Sequence, residues 1–194
     1  MTFGRLAQRI RVPAGFVLAP LLFISARPTL ASLAAGAFIA IVGLSIRAWA
    51  SGHLKKNQEL AKSGPYAHTR NPLYLGTFLL GTGAAVGGGT LWFVALFAAV
   101  YLIIYVPVMF AEAGTMRELF STEYEDYSKQ VPLFVPRFTP YSPHSSHSYA
   151  AQLGRLAWGS GQQFDPSLYM RHREYRAALG FLMVYALLAT KMLL

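Results

Sequence analysis

The chain has 194 residues, 54% hydrophobic and only 13% charged, with a formal net charge of +9. A soluble domain carries about 25% charged residues; here none occurs from Asn71 through Ala111. That excludes a soluble globular fold and predicts an all-α, polytopic integral membrane protein. The absence of cysteine excludes disulfides, thiolate metal sites and cysteine catalysis. In a soluble protein the basic excess would point to nucleic acid. In a membrane protein, retention of Lys and Arg on the cytoplasmic side explains it, so no nucleic-acid partner is expected.

About five transmembrane helices are expected, in chain order. The first apolar segment, Val12 to Ala26, follows Arg5, Arg9 and Arg11 and resembles a signal peptide, but no small-x-small cleavage site follows. It is read as a retained span, kinked or folded as a half-hairpin by Pro13 and Pro20. The second segment is Pro28 to Trp49, with Arg47 near its end. The third, Pro72 to Val86, is separated from the fourth, Leu91 to Ala111, by the glycines of "GGGT". Pro107 is expected to kink the fourth. The stretch from 112 to 176 is helical in pattern until Pro132 and Pro136, then becomes a Pro/Ser-rich linker and a basic, interfacial segment. The fifth span is Ala177 to Leu194, with Lys191 able to snorkel. The chain therefore divides into a two-span segment (1–50), a core (51–138), a linker and interfacial segment (139–176) and a last helix (177–194).

The N-terminal segment, the 51–70 loop and the 112–176 region hold 14 of the 17 Lys and Arg residues. This predicts that they lie in the cytoplasm. The turns near Arg27 and Gly88, and the C-terminus, then face the other side. No carboxylate or histidine falls mid-span, which argues against an ion pump or a proton-coupled transporter. Chemistry is expected at the membrane–water boundary instead.

The loop "GPYAHTRNPLYLG", Gly64 to Gly76, is the first candidate. Gly64-Pro65-Tyr66 reads as a turn, Pro72 as the first helical residue and Asn71 as an N-cap whose side chain holds free backbone donors. Tyr66, His68, Arg70 and Tyr74 are surplus to a connector. Together they suit a polar cofactor bound beside lipid. His144 and His147 lack carboxylate or cysteine partners, so no metal site is expected. Trp49, Trp92 and Tyr101 to Tyr105 are read as interfacial anchors and packing, and "RHREYR" (Arg171 to Arg176) as an anchor for anionic lipid.

"GPYAHTRNPLYLG", followed about 40 residues later by "EAGTMRELFSTEYEDYSKQVPLFVP", resembles the isoprenylcysteine carboxyl methyltransferase family, which includes phospholipid N-methyltransferases. The resemblance covers roughly residues 51 to 138. It implies an S-adenosylmethionine-dependent methyltransferase with its active site at the cytoplasmic face. By position it implies a cofactor site of Gln58, Glu59, Leu60, Ala61, Tyr66, Asn71, Pro72, Leu73, Tyr74 and Glu112. Arg70, Tyr74 and Glu112 are the expected catalytic residues, and no metal is needed. The implied partners are membrane lipids and a lipophilic or lipidated substrate entering from the bilayer, either an isoprenylcysteine-like carboxylate or a lipid amine.

Three departures stand out. Ala113 replaces the second Glu of the family's pair, Ser121 replaces a glycine after Phe120, and Val108 stands where prenylcysteine enzymes place a substrate-contacting Arg. Two other readings fit the same pattern: an NADPH-dependent membrane reductase of the sterol type, and a non-catalytic lipid-binding or scaffold protein.

Overall fold

A computed structural model describes residues 3–55, 59–142 and 164–194, with side chains described from residue 6 onward. The order is α1 (Phe3–Ser25), α2 (Leu30–Ser51), a 3-10 turn (Gly64–Ala67), α3 (Pro72–Gly87), α4 (Leu91–Gln130), α5 (Pro166–Arg171) and α6 (Tyr175–Leu193). The described residues contain no strand. Four helices, α1, α2, α4 and α6, are long and apolar enough to cross a membrane, and α3 is a shorter apolar helix of 16 residues. The protein is an all-helical integral membrane protein. His144, His147, Trp158 and Gln58 lie outside the described residues.

One expectation about proline is corrected. α1 is one helix running through Pro13 and Pro20, so it forms no half-hairpin. α4 continues through Pro107, and its non-helical backbone falls at Ser121 (φ 41°, ψ −120°). A proline removes one helical hydrogen bond and can kink a helix without ending it, whereas a positive φ redirects the chain.

α2 and α3 form the tightest pair, and glycine is the reason. Gly36 faces Gly83 and Gly43 faces Gly76: a Cβ on Gly83 would stand 2.5 Å from the Gly36 carbonyl oxygen, and one on Gly43 2.6 Å from that of Gly76. Small residues allow backbones in lipid to approach closely enough for dispersion to hold them. Tyr185 of α6 crosses this seam and donates its hydroxyl to the Gly83 carbonyl at 2.9 Å.

One end of the bundle gathers the short turns. The Arg27 N–H donates to the Gly88 carbonyl at 2.7 Å, and Thr90 Oγ1 donates to the Ser25 carbonyl at 3.0 Å. Thr29 and Ser32 cap the start of α2 reciprocally. Lys191 Nζ donates to the carbonyls of Phe23 and Ile24, the latter at 3.0 Å, which places its charge where the C-terminal end of α1 is negative. The opposite end carries the polar loops and the larger cavity.

Candidate active site

The polar end is built by two segments far apart in sequence. The loop after the 3-10 turn lies against residues 131–141, joined by a ladder of bonds. Arg70 N–H donates to the Pro132 carbonyl (3.0 Å), Arg137 N–H to the His68 carbonyl (2.9 Å) and Tyr141 N–H to the Ala67 carbonyl (2.9 Å). Thr69 Oγ1 donates to the Phe134 carbonyl at 3.0 Å. His68 Nδ1 lies 2.8 Å from the Arg137 carbonyl, so that nitrogen carries the proton. His68 therefore clamps one loop to the other.

Asn71 departs from its expected role. It stands at the N-cap of α3, yet its side chain makes no cap bond; Nδ2 donates to the Leu133 carbonyl at 2.9 Å instead. The clamp has taken the capping group, because a proline-broken strap such as 131–137 brings carbonyls that need donors. The first turn of α3 is left without a side-chain cap, and its residues Pro72, Leu73 and Tyr74 line a cavity.

That cavity, of about 520 Å³, is where the expected residues meet. Glu59, Leu60, Ala61, Tyr66, Arg70, Asn71, Pro72, Leu73, Tyr74 and Glu112 all line it. Gln58 alone among them falls outside the described residues. Tyr74 donates its hydroxyl to Glu112 Oε1 at 2.5 Å, a short charge-assisted bond joining the start of α3 to the middle of α4. Tyr101 in turn donates to the Tyr74 carbonyl at 2.7 Å, which fixes the backbone from which that phenol projects.

Arg70 sits between order and availability. Its Nη1 donates to the Tyr124 hydroxyl at 3.1 Å, and its charge lies 5.9 Å from the Tyr124 ring centre. Its Nε, however, is buried with no hydrogen-bond partner. Buried donors are nearly always paired, so this one marks a place for an acceptor.

Tyr66 is buried, and its carbonyl accepts the Tyr127 hydroxyl at 2.6 Å. Burial first, then the charges of Glu174 and Glu112, push the Tyr66 phenol well above its ordinary value. Burial does the same to Tyr127. Both stay protonated near neutrality, as neutral packing and donor groups. Leu60 packs with Tyr124, Tyr127 and Val131, and Ala61 with Ala50 and Tyr66. Glu59 pairs with Lys55 at 2.8 Å. Glu123, on an exposed face of α4, pairs with Lys62 at 2.5 Å.

Residue-level reading of the sequence missed Arg47 and Glu174. Arg47 Nη2 lies 2.7 Å from Glu174 Oε2, and its Nη1 donates to Thr77 Oγ1 and, at 3.4 Å, to the Leu73 carbonyl. This ties α2, the first turns of α3 and the start of α6 together at the cavity wall. The signal was available: Arg47 is the one charge inside α2, and an ionisable group within a span calls for a partner. The segment expected to anchor anionic lipid thus supplies a carboxylate for an internal ion pair.

Comparison with known proteins bears on the same region. Residues 29–123 match the phospholipid methyltransferase family. The matched stretch contains α2, α3 and the membrane part of α4, and with them every described residue of the expected site. The chain is also 34% identical over 148 residues to the cobalt-zinc-cadmium resistance protein CzcN of Cupriavidus metallidurans, covering 70% of this chain and 66% of that one. It is 30% identical over 135 residues to the nickel-cobalt-cadmium resistance protein NccN of Alcaligenes xylosoxydans xylosoxydans, covering 65% and 61%. The chain spans less than two thirds of either relative. No solved structure matches it. Over residues 29–123, just under half of its length, the chain is thus similar to the phospholipid methyltransferase family.

Proposed function

We propose that the protein is an S-adenosylmethionine-dependent methyltransferase acting on a lipophilic substrate at the membrane–cytoplasm interface. The observation that carries this reading is convergence: two motifs about 40 residues apart line one cavity with Glu112, Tyr74 and Arg70 together. The donor set fits the cofactor's groups. Glu112 suits its ammonium, the unpartnered Arg70 Nε and the uncapped start of α3 suit its carboxylate, and the Tyr66 and Tyr74 rings suit the adenine or the sulfonium.

When bound, S-adenosylmethionine supplies an activated methyl group. The chain's own work is then to hold, align and exclude water. Glu112 is fixed by the Tyr74 hydroxyl, and Arg70 by Tyr124. Alignment of this kind is the main lever on an in-line transfer to an already activated carbon. Ala113 also lines the cavity, so α4 presents a single carboxylate there where the family pattern has two. The names of the relatives concern resistance to metals. Among the described residues no group of three or more His, Cys, Asp and Glu is placed to hold a metal ion, and the proposal draws its support from the cavity.

Calorimetry on the purified chain in nanodiscs tests the reading. S-adenosylmethionine should bind and NADPH should not, and Glu112→Gln should reduce the first affinity at least tenfold. Binding of NADPH alone would favour a reductase, and binding of neither a scaffold.

A further inference from the structure

Arg47 lines the polar cavity, yet each nitrogen of its guanidinium is engaged by the protein itself. Nε and Nη2 both reach Glu174 Oε2, at 3.0 and 2.7 Å. Nη1 donates to Thr77 Oγ1 and, at 3.4 Å, to the Leu73 carbonyl. Thr77 Oγ1 donates to the same carbonyl at 2.8 Å. Thr77 also lines a second, apolar cavity of about 440 Å³ walled by α1, α3, α4 and α6, so Arg47 grips α3 where the two spaces meet. Arg70, by contrast, keeps its Nε unpaired. The two arginines therefore do different work: Arg70 offers a donor to a ligand, and Arg47 holds the wall.

What Arg47 holds is the first turn of α3. Leu73 and Tyr74 are neighbours in that turn, and the Tyr74 hydroxyl reaches Glu112 on α4. A continuous chain of contacts thus runs from Glu174, through Arg47 and the Leu73 carbonyl, to Tyr74 and Glu112. Gly76 makes room for it, since a Cβ there would stand 2.6 Å from Arg47 Cγ. The planar fork of an arginine fixes direction as well as charge, so Glu174 orients the group that grips α3. Glu174 directly precedes α6 and lies beyond residues 29–123. The tether therefore reaches the matched stretch from outside it.

We propose that Arg47 and Glu174 are positioning residues of the candidate active site: Glu174 locks the Arg47 guanidinium against α3, and Arg47 sets the first turn so that the Tyr74 hydroxyl meets Glu112. The inference deepens the methyltransferase reading and rests on it, since the carboxylate so placed is the one assigned to the cofactor's ammonium. Both residues act through α3 rather than on the reacting atoms. Their effect is on alignment, where a displacement of about 1 Å can cost roughly a hundredfold. No residue of α6 lines the polar cavity, yet through Glu174 the last helix governs its geometry.

The test uses the full chain in nanodiscs, with calorimetry for S-adenosylmethionine affinity and thermal unfolding for stability. Arg47→Met with Glu174→Met removes both charges and keeps the volume. That pair should melt close to the unaltered chain while its affinity stays roughly tenfold or more below. Arg47→Lys keeps the charge and loses the fork, so its affinity should be intermediate. Adding Tyr74→Phe to the methionine pair should cost less than Tyr74→Phe costs alone, because both act on one contact. A pair that merely stabilises the fold predicts otherwise. Affinity that returns with the melting temperature, full affinity in Arg47→Lys, or losses that simply add would each overturn the proposal. Hydrogen exchange on the ligand-free protein separates the two ideas: amides 75–78 of α3 should exchange about fivefold faster in the methionine pair, as a loosened helix end does. Faster exchange, with no cofactor bound by the unaltered chain, would sink the methyltransferase reading and leave the positioning of α3 standing. Cofactor binding, with exchange and affinity unmoved by the methionine pair, would do the reverse.

Discussion

Tyr74 and Glu112 form a short polar contact across the candidate site, at 2.5 Å, and a bond to a charged group contributes about 1.5–3 kcal/mol. Tyr74→Phe keeps the ring and removes the donor, so cofactor affinity should fall by roughly tenfold to a hundredfold, read by calorimetry. Ser121 presents the opposite case, a residue in a conformation it does not favour. Its φ of 41° belongs to glycine, the residue that the resembled family carries there. Ser121→Gly should raise thermal stability by about 1 kcal/mol, within the cost of such backbone strain. A neutral or lower melting temperature would refute that account. Tyr66 and Tyr127 set a pH limit. Because burial raises both phenols, their stability contribution is intact below the ordinary phenol value of about 10 and is lost as pH rises beyond it. A melting temperature flat from pH 7 to 9 and falling above pH 10 is the expected profile.

Between helices the decisive contact is the glycine seam of α2 and α3. Gly83→Ala puts a methyl group 2.5 Å from a backbone oxygen, which neither helix can move aside cheaply. A loss of about 1–3 kcal/mol is expected from overpacking, whereas Gly15→Ala, with open space before it, should stabilise. Chemical denaturation of the two variants side by side checks the contrast. The seam also shows where sequence reasoning stopped. The apolar runs gave the spans, and two spaced motifs gave the cavity wall, because both signals are local and periodic. Gly36, Gly43, Gly76 and Gly83 are visible as letters, but nothing in a single chain says which helix each one faces. The clamp between 66–71 and 131–141 escaped for the same reason: His68 had no local use, and its partner, the Arg137 carbonyl, lies 69 residues away. Asn71 was misread because a good cap residue was also the nearest donor for that strap.

Across the whole molecule, the matched residues 29–123 hold most of the polar cavity, while α1 and α6, outside that stretch, supply much of the apolar one. The Arg47–Glu174 pair joins the two regions, with both side chains mostly buried at 20% and 11% exposure. Removing one partner from a buried pair leaves a charge without compensation. Glu174→Ala should therefore cost about 1–3 kcal/mol, while Arg47→Met with Glu174→Met should recover much of it. A double-mutant cycle on melting temperatures reads the coupling. The length of α3 reaches further still. Its 16 residues rise about 24 Å, short of the roughly 30 Å hydrocarbon core. Its first turn carries Tyr74, which reaches Glu112, and a span this short favours a thin bilayer. The bilayer around such a helix thins into a shallow dimple, so turnover should rise in nanodiscs of short-chain lipids and fall in thick ones. The membrane's own thickness then sets how readily a lipid-borne reactant finds the site.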